Sequence, residues 1–393
     1  MLRILYLAHD LRDAAVKRRL DMLMIGGARV SVAGFRRDER PIENVGVHPA
    51  VDLGRTYDRD FKQRVAKIIS LRLLPQKNFT HTDADIVIAR NLEMLVLAMK
   101  LRRHDGKRPK VVYESLDVHR LLLRKDAIGK VLRRMERHLL SDVPLIMTSS
   151  PAFVREYFNG VQGLRKPVVL IENKVLDVTG DQTAAGSRSL ALKPDGEPVR
   201  IGWFGALRCR KSVHLLAEFS RRMHGRYEIV LRGRPARTEF DDFDGFVAAE
   251  PFMRFEGPYR SPDDLATIYG EVDYVWAIDF FEEGLNSSWL LPNRLYEGCL
   301  HGGVPIAIAG TETARYLAEN KIGEVLLEAS PEALCDLLEA SDLAARQREV
   351  VAKAIASPPA FICGQAECER LVDILQAGES IGDVRAAEIV LRI

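Results

Sequence analysis

The chain has few cysteines, few aromatics and no long apolar run, and each shortage removes a class of protein. Five cysteines in 393 residues (Cys209, Cys299, Cys335, Cys363 and Cys368) are an odd number without paired metal-ligand spacing. That argues against a disulfide-framed secreted scaffold or a zinc site, and fits a reduced, cytoplasmic setting. No apolar stretch approaches the roughly 20 residues that cross a bilayer. The opening MLRILYLAHD is a short strand pattern, too brief for a secretory signal. Aromatics make up 7% of the chain, and the cations are not interleaved with them, which argues against nucleic acid as a partner. Neither a repeat of solenoid length nor a low-complexity tract occurs. What remains, 47% hydrophobic and 28% charged, is an ordinary globular composition long enough for two or three domains.

The formal net charge of +2 hides an imbalance. Residues 1–175 carry 34 Lys+Arg against 20 Asp+Glu, or +14, which leaves 23 against 35, or −12, for the remainder. A basic half joined to an acidic half suggests two domains with different partners, the basic one favouring anionic surfaces. Both halves alternate strand and helix patterns. In the first, strands are expected at 2–8, 30–35, 86–89, 111–114, 144–148 and 168–171, with helices at 14–25, 92–103, 128–140 and 151–158. A tract rich in Gly, Ser, Thr, Asp and Pro then reads as a linker over 176–197. Beyond it, strands are expected at 199–204, 227–231, 253–256, 274–278, 304–309 and 324–327. Such alternation implies parallel sheets covered on both faces, an α/β protein of two Rossmann-like halves. The domains are accordingly 1–175, 198–358 and a C-terminal helical segment, 359–393. After the Pro358-Pro359 break the pattern predicts a helix over 361–376.

The stretch 289–310, WLLPNRLYEGCLHGGVPIAIAG, is the most informative. Pro292 suits the first turn of a helix. Leu295, Cys299 and Leu300 follow at helical spacing, and Gly302-Gly303 ends the helix before an apolar strand at 304–308. Glu297 lies among the apolar positions. A carboxylate there, beside the C-terminal ends of parallel strands, is placed where open α/β sheets bind ligands; a solvated Glu on a capped surface helix is the alternative.

After the strand at 199–204 comes Gly205-Ala206-Leu207-Arg208-Cys209-Arg210-Lys211-Ser212 and then a helix. A glycine turn with cations at a helix start suits a phosphate, because helix N–H groups and positive side chains converge on an anion; a solvated basic turn is the bland reading. Four groups lie at strand ends of the first half. Asp10 and Asp13 precede a helix carrying Lys17-Arg18-Arg19, and either is also a natural cap. Asp117 and His119 follow the strand at 111–114, where His119 can move a proton near neutral pH or serve only structure. Arg90-Asn91 and Glu172-Asn173-Lys174 also end strands. Arg232 and Tyr259 end strands of the second half and border any nucleobase held there. Two helices, 60–74 and 128–140, carry apolar residues on one side and cations on the other, a pattern shared by core-facing helices and by helices lying on anionic lipid.

The pattern Pro292-Asn293-Arg294-Leu295-Tyr296-Glu297, followed by Gly303-Val304-Pro305, resembles the donor-site helix of GT-B glycosyltransferases, especially the large retaining family that includes capsule and exopolysaccharide enzymes. The resemblance implies two Rossmann-like domains facing across a central cleft, with the last helix crossing back onto the first domain. It implies that Glu297 accepts hydrogen bonds from the ribose of a sugar nucleotide, and that Gly205, Arg208, Arg210 and Lys211 hold its diphosphate, with Asn293, Arg232 and Tyr259 also on the donor. A second glutamate, expected eight residues before Glu297, is replaced by Trp289, so Glu282 or Glu283 takes its place or the sugar is held differently. His119 would face the transferred sugar, with Asp117 and Asp13 as further catalytic candidates. The implied enzyme moves a sugar from a UDP- or GDP-linked donor to a glycan or lipid-linked hydroxyl with retention, without a cofactor or catalytic metal, in the cytoplasm or on the inner face of the membrane. A sugar-nucleotide epimerase and a non-catalytic scaffold of the same fold remain open alternatives.

Overall fold

In the computed structural model, residues 1–56, 83–104, 108–180, 196–377 and 390–392 are described. The chain divides into two compact units, Met1–Glu172 with Gly364–Ile393, and Asn173–Cys363. The second unit therefore begins just before the 176–197 tract, most of which lies outside the described residues, as does the helix expected at 60–74.

The first unit holds, in chain order, β1 (Arg3–Ala8), α1 (Ala14–Ile25), β2 (Arg29–Arg36), β3 (Asn44–Val45), β4 (His48–Arg55), β5 (Ile86–Arg90), α2 (Asn91–His104), β6 (Lys110–Ser115), α3 (Arg120–Leu123), α4 (Ala127–Leu140), β7 (Leu145–Thr148) and β8 (Val168–Leu170). Its sheet runs β17-β8-β7-β6-β5-β1-β2-β4-β3, where β17 is Val390–Arg392, and is parallel except for the β3–β4 pair. The central strands are apolar runs such as RILYLA and IVIAR, because helices cover both faces. Sequence periodicity does not show β4: HPAVDLGR is mostly half-exposed and weakly apolar, and its pairing with β2 defines it as a strand. The segment expected to be helical over 151–158 instead winds mainly as wide π-type turns over Phe153–Val161.

The second unit adds β9 (Val175–Leu176), β10 (Val199–Leu207), α5 (Arg210–Arg222), β11 (Tyr227–Pro235), α6 (Phe243–Ala249), β12 (Met253–Phe255), α7 (Leu265–Gly270), β13 (Tyr274–Trp276), α8 (Asn293–Leu300), β14 (Val304–Ile308), α9 (Glu312–Asn320), β15 (Glu324–Leu326), α10 (Pro331–Ala340), α11 (Leu343–Ala356) and β16 (Ile362–Cys363). Its main sheet, β12-β11-β10-β13-β14-β15, is parallel throughout. Alternate side chains feed two cores on opposite faces: Ile229, Leu231, Tyr274 and Trp276 join one, Val230 and Val275 the other. Each such buried side chain contributes roughly 1.5–3 kcal/mol.

The helix expected over 361–376 is corrected by the structure. Phe361 packs into the second unit's core, and Ile362–Cys363 pairs with Val175–Leu176. Gly364 breaks the path, its N–H bonding the Glu367 carboxylate, and the helix α12 (Gln365–Ala377) begins only then. In the first unit α12 packs on α1 so closely that a Cβ on Gly26 would lie 2.2 Å from the Cys368 carbonyl oxygen.

Candidate nucleotide-binding site

The second unit's sheet reverses direction between β10 and β13. The chain steps outward from β10 to β11 and β12, then returns to the other side of β10 for β13, β14 and β15. The segments leaving the C-terminal ends of β10 and β13 part there, which opens the kind of crevice in which doubly wound sheets hold ligands.

β10 runs to Leu207, past the expected glycine turn, because Gly205 kinks it without ending it. Gly205 (φ +108°) lies in register with Gly233 (φ +129°) of β11, and a Cβ on Gly233 would come 1.9 Å from the Gly205 carbonyl oxygen. Only glycine tolerates that φ and that approach. A Cβ on Gly205 would lie 3.9 Å from the Tyr259 hydroxyl, so the bare backbone faces this ring.

Arg208 and Lys211 leave this edge together. The Arg208 guanidinium donates to Asp279 at 3.1 Å and lies 4.7 Å over the Phe281 ring. The Lys211 ammonium, in the first turn of α5, donates to both carboxylate oxygens of Glu283 at 2.7 and 3.0 Å and lies 4.5 Å from the centre of Phe280. One segment after β13, residues 279–283, thus clasps both cations. The Lys211–Glu283 pair is 43% and 56% exposed, whereas Arg208, 35% exposed, meets an Asp279 that is only 12% exposed. A pair as exposed as Lys211–Glu283 is worth about 0–1 kcal/mol and exchanges partners readily.

Helix α8 is pressed against β13: a Cβ on Gly298 would meet Val275 at 2.5 Å. Arg294 latches its start, donating to the Trp276 and Ile278 carbonyls at 2.7 Å each, and Asn173 donates to the Leu291 carbonyl at 2.8 Å. Asn293 is exposed at the first helical position. Glu297 is buried on the face turned toward α7, where its Oε2 accepts from the Tyr269 hydroxyl at 2.9 Å. Burial first, and then the Glu297 charge, raises the Tyr259 and Tyr269 phenols above their ordinary value, so both stay protonated donors. Gly205, Tyr259 and Glu297 are therefore neighbours, and Arg208 follows directly on the end of β10.

Other anticipated members have partners of their own. Arg210 binds the Glu239 carbonyl and the Asp241 carboxylate, and Arg232 binds Glu271 at 3.1 Å. Trp289 sits in a single 3-10 turn, Ser287–Trp289, whose Ser287 hydroxyl accepts from the Glu282 amide. Sequence reasoning missed Asp279 and Tyr269. Asp279, directly after an expected strand, was visible as a strand-end carboxylate; Tyr269 lies within a buried helix and carried no signal.

The first unit reverses its strand order between β1 and β5. There Asp13 caps α1, accepting from the Ala15 amide at 2.9 Å, and receives Arg90 at 2.7 Å. Burial opposes the Asp13 charge, but Arg90, His9 and Arg18 outweigh it and hold the carboxyl below its usual range. Beneath lies Glu114, bound by Tyr6 and, at 2.6 Å, by Arg19. Burial likewise opposes its charge, and Arg19 with Arg90 keeps it ionised. His119 caps α3, its Nδ1 accepting from the Leu121 amide at 3.3 Å, while Asp117 is exposed two residues earlier. Among the described residues no His/Cys/Asp/Glu group is arranged to hold a metal.

Solved structures with this architecture define its class. The chain is similar to the sucrose-phosphate synthase of Thermosynechococcus elongatus (TM-score 0.69, 14% identity, 97% of this chain and 100% of that one). It is similar to HepE of Anabaena in complex with UDP and glucose (0.66, 15%, 96% and 100%). It is also similar to WaaG, a glycosyltransferase involved in lipopolysaccharide biosynthesis (0.59, 12%, 94% and 99%). The fold is therefore GT-B. No protein-family model matches the chain. Over 376 residues, 95% of this chain and 93% of the relative, it is 52% identical to the succinoglycan biosynthesis protein ExoL of Rhizobium meliloti (strain 1021), and it belongs to the ExoL family.

Proposed function

We propose that the chain is a glycosyltransferase of exopolysaccharide assembly, moving a sugar from a nucleoside-diphosphate donor to a hydroxyl of a lipid-linked or polysaccharide glycan. Membership of the ExoL family and the GT-B fold support this reading. The observation that carries it is the second unit's strand end, where two cations, one of them in an exposed pair, a bare glycine edge and a buried carboxylate occur. Arg208 and Lys211 take the diphosphate and stabilise its departure, in the place a divalent ion would fill. Glu297 takes the ribose hydroxyls. His119, with Asp117 near it, is the proposed first-unit contact to the transferred sugar, and transfer proceeds with retention. HepE is solved with UDP, so UDP-sugars are the first donors to try. Purified protein should release UDP from a UDP-sugar in the presence of membrane extract, and Glu297→Ala or Arg208→Ala should reduce release at least about 100-fold. Wild-type rates in both variants would refute this assignment.

The acceptor reading extends to an anionic lipid surface. Helix α4 exposes Ile128 (47%) and Val131 (66%) beside exposed Lys130 and Arg134. Arg133 donates to the Leu122 and Arg124 carbonyls, and the exposed Arg137 to that of Gln162. Among the described residues no helix is long and apolar enough to cross a membrane, so attachment would be peripheral. The protein should float with phosphatidylglycerol vesicles at low salt, and Val131→Glu should weaken flotation; flotation by neither protein would remove the lipid surface from the reading.

A further inference from the structure

The Glu297 carboxylate does not stand alone. The Tyr269 hydroxyl donates to it at 2.9 Å, and the Tyr269 ring has two ring neighbours. Phe204 of β10 lies 4.9 Å away, tilted by 60°, and His301 lies 6.1 Å away, nearly parallel at 15°. His301 caps the end of α8, four residues after Glu297. The imidazole is buried, and neither of its ring nitrogens has a hydrogen-bond partner among the described residues. Two unpaired ring nitrogens are an expensive way to fill a core position. What the imidazole provides is a flat surface under Tyr269.

We propose that Tyr269 is a positioning residue. Packed beside Phe204 and His301, it fixes the orientation of the Glu297 carboxylate, and so sets how strictly the site requires a ribose rather than a 2′-deoxyribose nucleotide. The inference rests on the reading of Glu297 as the ribose contact. A carboxylate that accepts from two vicinal hydroxyls must lie near their common plane, and a carboxylate free to rotate about its last bond loses that bidentate fit. One of its oxygens already accepts from Tyr269, which leaves the orientation little freedom. Tyr269 does not itself touch the donor, so its removal weakens binding and hydroxyl discrimination rather than the bond-making step.

The test is calorimetric binding of UDP, GDP and ADP, each against its 2′-deoxy form. Wild type should prefer the ribo form of its best ligand by about tenfold or more, the worth of one charge-assisted hydrogen bond. Tyr269→Phe should bring the ratio to about one to three, raise donor KM and leave kcat within about twofold. His301→Leu, which removes the ring nearly parallel to Tyr269 and leaves the hydroxyl in place, should lower the ratio partway. A wild-type preference that Tyr269→Phe keeps overturns the positioning role while leaving Glu297 at the ribose. Absence of any preference in wild type, or of binding by all three nucleotides, overturns both. If Tyr269→Phe does not fold, His301→Leu decides: an unchanged ratio there overturns the proposal.

Discussion

At the first unit's strand reversal Arg90 meets Asp13 above a floor of Tyr6, Arg19 and Glu114, and Arg19 and Glu114 are 3% and 0% exposed. At the second unit's reversal Arg208 and Lys211 meet Asp279 and Glu283, with Lys211 and Glu283 about half exposed. The topology is the same and the use differs. A deeply buried pair cannot change partner without stranding a charge, whereas a half-exposed pair can give its cation to a phosphate at little cost. Net charge is therefore a poor guide to where an anion binds. The half carrying +14 commits Arg19 and Arg90 to its own carboxylates, and the acidic half presents Lys211 in an exposed pair.

The contrast can be broken most sharply at Glu114. Glu114→Ala leaves Arg19 buried beside a hole and should lower unfolding stability by about 3–5 kcal/mol, read by urea denaturation. A change below about 1 kcal/mol would mean that the first unit's network is as loose as the second's. His301 tests the second unit's own buried polarity. Burial pushes its pKa down to about 4 from the ordinary 6.5. At pH above 6.5 both folded and unfolded forms are neutral and there is no effect. As pH falls from 6.5 toward 4, the unfolded chain takes up the proton first and stability is lost, by on the order of 3 kcal/mol in all. His301→Leu should lack this part of the acid loss; identical pH profiles for the two proteins would contradict it. The smallest effect is expected at Glu283. Glu283→Gln releases Lys211, and UDP affinity should rise about two- to fivefold, the worth of an exposed pair. Weaker binding would instead make Glu283 a donor ligand.

Much of this was legible in the residues. Ala14–Ile25 was bounded correctly by its cap and its closing glycines, the strand expected at 86–89 fell one residue short of the observed Arg90, and the strand at 304–308 was marked by its apolar run. Glu297, Gly205, Arg208 and Lys211 were visible because each sits within a local pattern of strand end, turn and helix start. Their partners were not, since which carboxylate meets Arg208 depends on which two strands flank the reversal. Arg19 shows the opposite failure. It reads as one of three consecutive cations, yet its spacing from Val16 and Leu23 places it on the buried face of α1. Periodicity taken ahead of composition would have found it.

The chain leaves the first unit at Glu172 and rejoins it at Gly364, and α12 lies tight against α1 at Gly26. On the ribosome, then, the portion made earliest is finished last. Until the final thirty or so residues emerge, α1 lacks the helix that covers it and β8 lacks its outer neighbour β17. The second unit has all of its strands by Cys363. A truncation after that residue would therefore damage the beginning of the protein and spare its middle.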